Sequence, residues 1–564
     1  MHKRNAWPMI SVALLVLLSG CGPSPTTSPS GAPESRPSTP KRITTIILSD
    51  PPSLAPGVGP VPGRDELRQL VNVGLTVVDA VGTRQPMLAE AFPTVDNGLW
   101  NVLPDGRMET TWTLRPGIVW HDGAPFTTDD LVFSAQVLQD RELGIAIDAA
   151  FAFIQNIEAV DARTIRVSWR RPYIWADDFF TSTSSMPKHL LERTYTESKE
   201  DLLNLPFWTD DFVGNGPFKM TEWVRGSHII VKANDRYAVG KPKLDEILVR
   251  FVLDPSTLVT NILAGSVDLS MSRGISLEQS LQIRNQWRDG QVYVAPSLQI
   301  LMYPQFMPPT PPIMGDVRFR RALLQSIDRQ ALVDNLMGGQ SSVAHTTILR
   351  PTEPEYKEVE SSIVRYEYEP RAAAEAIEGL GFSKGADGFY RDAANQPLVV
   401  EIHTSVSQDS KGQAMLAIAD AWQQLGVTIR PVVFPVAKIA DSEYLMTRPG
   451  FYHVRHPHNM TNLESYLHST KAGIPENRFS GMNYARYSTP EMDVLLERFN
   501  STIPTNPRRE LLKQIVHHVT DQVIFLGLFY DVEVTAIGNR MKNVTGRGEG
   551  VTKNWDSHIW DAAD

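Results

Sequence analysis

Three groupings in the chain bring together side chains able to do chemistry. The first lies in TWTLRPGIVWHDGAPFTTDDLVFS, Thr111 to Ser134, where His121 and Asp122 follow Trp120 and an acidic pair follows at Asp129 and Asp130. A histidine beside an acid has the makings of a general base, although adjacent side chains diverge and no nucleophile is nearby. The second is His453, His456 and His458, with Arg455 among them. Three imidazoles suggest a metal, but spacings of three and two share one face of neither a helix nor a strand, so a polar pocket wall is the better reading. The third, His517 and His518, flanks the apolar face of a helix carrying Leu511, Ile515 and Val519, where solvent-facing positions are natural. Gly379 to Gly385 is dotted with glycine but lacks the lysine and hydroxyl of a phosphate loop. No G-x-S-x-G, H-E-x-x-H or paired-cysteine motif occurs. No catalytic residue, metal ligand or cofactor is assigned, and the expectation is a protein that is not an enzyme.

The elements around the first grouping explain its polar residues mechanically. Met108, Thr110, Trp112 and Leu114 alternate with polar neighbours, which predicts a half-buried strand. Pro116-Gly117 and Asp122-Gly123 predict turns. Thr127 stands three residues before Asp130, close to a capping box, with Leu131, Ala135 and Leu138 on one helical face. The acidic pair then sits in a first helical turn, where negative charge is favourable. Further along, Ile247, Val249, Phe251 and Leu253 alternate before Asp254-Pro255 opens a helix ended by Gly265. Asp316 to Met337 predicts two linked helices, the second capped by Asp328 and stopped by Gly338-Gly339; Val523 to Tyr530 predicts a buried strand. The class is mixed α/β without a fixed repeat.

The chain begins unlike its body. Lys3 and Arg4 precede a mostly apolar run from Ile10 to Leu18, then small residues and Cys21. This predicts an export signal over residues 1–20, too short to span a bilayer. Leu18-Ser19-Gly20-Cys21 resembles a bacterial lipobox, and Cys21 is the only cysteine among 564 residues, so lipidation of Cys21 is the expectation. Residues 21–41, nearly all Pro, Ser, Thr and Gly, cannot bury a core and predict an extended tether. Lys3 and Arg4 leave with the signal, taking the net charge from −10 to −12; no basic run remains, which argues against a nucleic-acid partner. No later run approaches the ~18 apolar residues of a membrane span.

In order along the chain, these landmarks resemble bacterial extracellular solute-binding proteins of family 5. Leu114 to Ser134 is similar to the family segment L-R-x-G-x-x-F/W-H-D-G-x-P-F-T-A-x-D-V-x-F-S, and Asn215-Gly216-Pro217-Phe218 to G-x-G-P-Y/F. LDEILVRFVLDPSTLVTNILAGSVDL, DVRFRRALLQSIDRQALVDNLMGG and YARYSTPEMD match three further modules. The resemblance implies a two-lobed periplasmic-binding-protein fold, type II in its large three-domain form, with a two-strand hinge at Leu298–Phe306 and Val523–Tyr530. By position, one lobe comprises 42–80, 210–300 and 526–564, the inserted domain 81–209, and the other lobe 301–525. It implies a monomer tethered to the membrane that captures a peptide or similar ligand between its lobes, closes over it, and delivers it to an ABC permease. His121 and Asp122 become parts of a framework turn.

For ligand contact the resemblance points to Leu54, Gly57, Tyr303, Gln305, Phe451, Tyr452, His453, Arg455, His456 and Trp555. Relatives use an early P-x-x-L-D-P element and a later G-W-x-A-D-x-x-D-P loop whose first acid holds a peptide ammonium. This chain has Ala55 in the first and no acid in Gly450 to Pro457. Arg455, flanked by two imidazoles and near Phe451 and Tyr452, suits an anionic or planar group instead, or else makes a structural ion pair. An oligosaccharide or anionic compound is therefore the alternative ligand. A hydrolase or a sensory receptor on the same scaffold is the alternative of another class.

Overall fold

Two long antiparallel strands, Gly290–Pro304 and Leu526–Gly538, form the spine of the molecule. The computed structural model describes residues 40–563, apart from 58–60, 80–81, 146–148, 182–184, 272, 406–409 and 546–551. Contacts divide the chain after Pro40, and the described body is the second unit, Lys41–Asp564. The export signal, Cys21 and nearly all of the tether lie outside the described residues. Lys41, expected at the tether's end, is already fixed by an ion pair to Asp561 at 2.6 Å.

The spine sits in a ten-stranded sheet. On one side, Leu526–Gly538 meets Leu269–Ser270, followed by Arg42–Ile47, Glu246–Phe251, His228–Ala233 and Phe218–Val224. On the other, Gly290–Pro304 pairs antiparallel with Phe451–His456, which lies parallel to Val399–Ser405 and then Thr428–Phe434. The predicted alternation of Ile247, Val249 and Phe251 is seen as three buried residues between three half-buried ones. Parallel pairs need crossovers, and the helices Pro255–Leu263 and Ser410–Leu425 supply two of them. Register slips between Pro296 and Gln299, and again at Ile300–Leu301, break the central ladder where it passes from one half to the other.

The second strand of the spine runs eight residues beyond the predicted end at Tyr530. Asp531 and Glu533 disguise that continuation as surface, but both are buried against cations, Arg455 and Lys553 respectively. Between the strands of the main sheet, residues 100–169 form a four-stranded antiparallel sheet. Its strand Met108–Thr113 alternates as predicted, and the helix Thr128–Leu138 opens on the capping box of Thr127 and Asp130. The two linked helices are Val317–Gln325 and Arg329–Met337, capped by Asp316 and Asp328, with Gly338 at φ 52° ending the second.

Candidate functional site

The His-Asp stretch is a joint. Gly214 donates its N–H to His121 Nδ1 at 3.2 Å, so the ring proton is on Nε2, which donates to the Gly216 carbonyl at 3.1 Å. Burial pushes the His121 pKa down to about 4, and the ring is neutral. Asp122 turns the other way, accepting from Ala124 N at 3.0 Å and pairing with His189 at 2.7 Å. The two adjacent side chains thus diverge and never meet as an acid–base pair.

Of the residues expected to meet a ligand, Tyr303, Tyr452 and His456 share one cluster and the others are dispersed. Phe451 to His456 is a strand, so its side chains alternate between two faces. Phe451 packs on Trp422 in the core, His453 binds the Lys411 carbonyl at 2.8 Å, and Arg455 pairs with Asp531 at 2.7 Å. On the opposite face, Tyr452 and His456 join Tyr303, Tyr466 and Tyr484 in an aromatic cluster. Gly450, at φ 68°, places the turn before this strand so close that a Cβ would meet the Glu401 carbonyl at 2.1 Å. Gln305 is spent on the carbonyls of Met446 and Arg448 and the N–H of Met307. Leu54 is core, with its N–H on the Trp208 carbonyl, and Gly57 is exposed at φ 83° beside Ile145. Trp555 borders a space of only about 10 Å³. As arranged in this structure, then, the residues expected to form one ligand surface are distributed through the core, an ion pair and the exterior.

Within the aromatic cluster the protons can be placed. Gln299 donates its amide N–H toward the carbonyls of His345 and Thr347, which turns its oxygen to His458 Nδ1 at 2.8 Å. His458 Nε2 therefore accepts from the Tyr303 hydroxyl at 2.5 Å, and that oxygen accepts from His456 Nδ1 at 2.8 Å. Burial pushes the His456 pKa down to about 3 and that of His458 well below its usual value, so both rings are neutral.

The large open space lies elsewhere. A cavity of about 1370 Å³ separates a wall built by the inserted segment from a wall built by the C-terminal half, with Ala295 and Pro296 of the spine between them. The first wall carries Arg84, Trp100, Trp175, Asp177 and Asp178; the second carries Arg350, Glu353, Glu355, Met460 and Arg508. The walls touch at one edge, where Ile174 N donates to the Asn500 carbonyl at 3.3 Å. Arg84 contacts both Asp177, at 3.3 Å, and Asp178, at 2.7 Å. Glu353 accepts from Arg350 N at 2.8 Å, and burial holds its carboxyl above the usual range despite the Arg350 guanidinium at 3.6 Å. None of the ten expected ligand residues lines this cavity. In the sequence, the first wall is signalled only by the acidic pair in IWADDFF, two charges set in an aromatic run. Among the described residues, no group of three or more His, Cys, Asp or Glu is placed to hold a metal, and no helix is long and apolar enough to cross a membrane.

A cavity between two lobes spanned by paired strands is the architecture of a solute-binding protein. Residues 84–473 match the family described as bacterial extracellular solute-binding proteins, family 5 Middle, and the chain belongs to that family. It is 25% identical over 317 residues to a putative ABC transporter peptide-binding protein of Brucella suis, a match that spans about 55% of either chain. It is 24% identical over 581 residues to the oligopeptide-binding protein OppA of Bacillus subtilis, covering 98% of each. Among solved structures, it shares its fold with the oligopeptide-binding protein AppA of Bacillus subtilis in complex with a nonapeptide (TM-score 0.72, 17% identity, 93% of this chain and 100% of the other). It shares it also with NikA of Brucella suis in complex with Fe(III)-EDTA (TM-score 0.76, 17% identity, again 93% and 100%).

Proposed function

We propose that the protein is the extracytoplasmic solute-binding component of an ABC importer, held at the membrane by a lipid on Cys21. It is a binder and not a catalyst, it takes a peptide or similarly sized solute between its lobes, and it hands that solute to a permease. Family membership supports this reading, and the observation that carries it is the cavity between the two walls. At about 1370 Å³ the cavity exceeds the roughly 300–1,000 Å³ of a drug-sized site, which favours an oligomeric solute. The spine strands, slipped in register at Pro296–Gln299, are the natural hinge for closure. On this reading the lobes divide as 42–80, 210–300 and 526–564 against 301–525, with 81–209 inserted.

The test is native mass spectrometry of protein purified without denaturation, followed by small-angle scattering before and after removal of whatever is bound. A co-purified small molecule, and a smaller radius of gyration in its presence, are expected. An empty protein whose scattering is unchanged by oligopeptide and oligosaccharide mixtures would sink the proposal. The anchor is tested separately: Cys21→Ser is expected to release folded protein from membranes, and a variant that still sediments with them would remove the lipid from the account.

A further inference from the structure

The inserted segment packs against its two neighbours to very different extents. Phe133, Val137, Leu191 and Leu202 share one core with Ile43, Leu67 and Ile247, and Trp112 and Trp120 share another with Val73, Leu75 and Tyr237. Toward the C-terminal half, a single backbone hydrogen bond crosses among the described residues, from Ile174 N to the Asn500 carbonyl. It lies beside two isoleucines, Ile174 and Ile503, that line opposite walls of the cavity. Ile174, only 5% exposed, leaves its own segment and joins the core of Leu495, Phe499 and Ile515. Ile503 does the reverse. From the turn between the helices Pro490–Ser501 and Thr505–Asp521 it packs on the core of Trp100, Phe153 and Trp169. Each isoleucine is thus a plug in the other wall's socket, and local contacts hold both in place. Tyr173 stacks on Phe153 and Trp169, with ring centroids 4.5 and 5.4 Å apart, and Arg508 donates to the Ile503 carbonyl at 3.0 Å.

We infer that Ile174 and Ile503 form a reciprocal clasp at the edge of the cavity, a catch that sets how often the two walls part. The inference rests on the solute-binding reading and adds the device that governs opening. The two shared cores keep the inserted segment with the lobe on which it packs, so the clasp side is where the walls separate. The register slip at Pro296–Gln299 supplies the bend and the clasp supplies the catch. Burying one isoleucine side chain shifts an equilibrium by about 10–100-fold. Two such plugs favour the closed form strongly and still leave an open form within the range of thermal population.

Hydrogen exchange of the full chain, stripped of bound small molecules and read by mass spectrometry, tests the clasp from one wall to the other. Ile503→Ala is expected to lower the protection of the Ile174 amide, on the opposite wall, about 10–100-fold, the worth of one unburied isoleucine. The strand Met108–Thr113, inside the inserted segment, should stay as protected as in the native protein. Small-angle scattering should show a larger radius of gyration for Ile174→Ala and for Ile503→Ala, and the largest for the double variant. Ile165→Ala, a change of the same kind in the interior of the inserted segment, should alter neither the radius nor the Ile174 amide. An Ile174 amide equally protected in Ile503→Ala would overturn the clasp, and so would a loss shared by Met108–Thr113, the signature of general loosening. A radius of gyration unchanged in the double variant would overturn it as well. If the clasp responds as expected in a protein that carries no co-purified molecule and binds neither tetraalanine nor maltotetraose, the clasp stands and the solute-binding reading falls.

Discussion

Arg320, Arg329 and Arg448 are buried more deeply than Arg508, yet their chemistry is already used. Arg320 donates to the carbonyls of Val523, Met314 and Gln522 at 3.2, 2.7 and 2.6 Å and stacks over Phe306. Arg329 holds the carbonyls of Ala344, Gly527 and Tyr366. Arg448 holds those of Leu445, Tyr484 and Tyr303 and lies 4.8 Å from the Tyr452 ring. None has a carboxylate in contact; carbonyl oxygens do the work of water, and burial lowers the three pKa values only to about 10, 10 and 9, so all remain charged at neutral pH. A buried arginine without an acid is therefore not by itself a site. What separates Arg508 is that its donors open onto empty space, whereas the framework arginines staple distant segments together.

That comparison breaks most easily on stability. Arg320→Leu orphans three carbonyls, two of them fully buried, each worth about 1–3 kcal/mol when left unpaired, so a loss of about 3 kcal/mol or more is expected. Arg508→Leu, the same chemical change, should stay within about 0.5 kcal/mol of the native protein, as surface substitutions do. Urea unfolding followed by fluorescence measures both. Equal losses would show that Arg508 is another staple.

The same two sets of residues show what a sequence can carry. In DVRFRRALLQSIDRQALVDNLMGG the caps Asp316 and Asp328 and the stop at Gly338 are legible because their partners lie within five residues. The tasks of Arg320 and Arg329 are not, because Val523, Gln522 and Gly527 are about 200 residues away. The fold was legible through such local signals in series and through the family's motifs. The candidate site was not: the two walls of the cavity, with Asp177 on one and Arg508 on the other, are brought to one space by the fold from segments more than 300 residues apart. Gly450 to Pro457 shows a related effect. Its residue types suit a binding loop, but strand alternation sends Phe451, His453 and Arg455 to one face and Tyr452 and His456 to the other.

The aromatic cluster sharpens the contrast through pH. His456 titrates at about 3 in the folded protein and at about 6.5 when unfolded, so on acidification the unfolded chain takes the proton first. Its contribution is fully present above about pH 6.5 and is lost as pH falls toward 3, at up to about 1.4 kcal/mol per pH unit. His121, at about 4 in the folded state, works in the same direction over a narrower window. Buried carboxylates with raised pKa values, such as Asp177 and Glu353, oppose the trend, so the informative quantity is a difference. Stability of the native protein minus that of His456→Phe, from urea midpoints between pH 7 and 4, is expected to shrink steadily as pH falls. A difference independent of pH would mean that the His456 ring is not held neutral by its burial against Tyr303.

The smallest effect belongs to Asp122, and its neighbour supplies the comparison. His121 is half-buried and ties two turns together through both ring nitrogens, so His121→Ala leaves the Gly214 N–H unpaired, while the Gly216 carbonyl keeps the Asn234 amide at 3.0 Å, and should cost about 1–3 kcal/mol. Asp122 is about one-third exposed and makes a bond within its own turn and an ion pair to a similarly exposed His189. Solvent screens that pair, and exposed pairs contribute about 0–1 kcal/mol, so Asp122→Ala should cost less than its neighbour's replacement. Neither residue lines the cavity, so both variants should retain the co-purified solute in native mass spectra once folded. A stable Asp122→Ala protein that emerges empty would return this stretch to the binding site, because no loss of folding could then account for the loss of ligand.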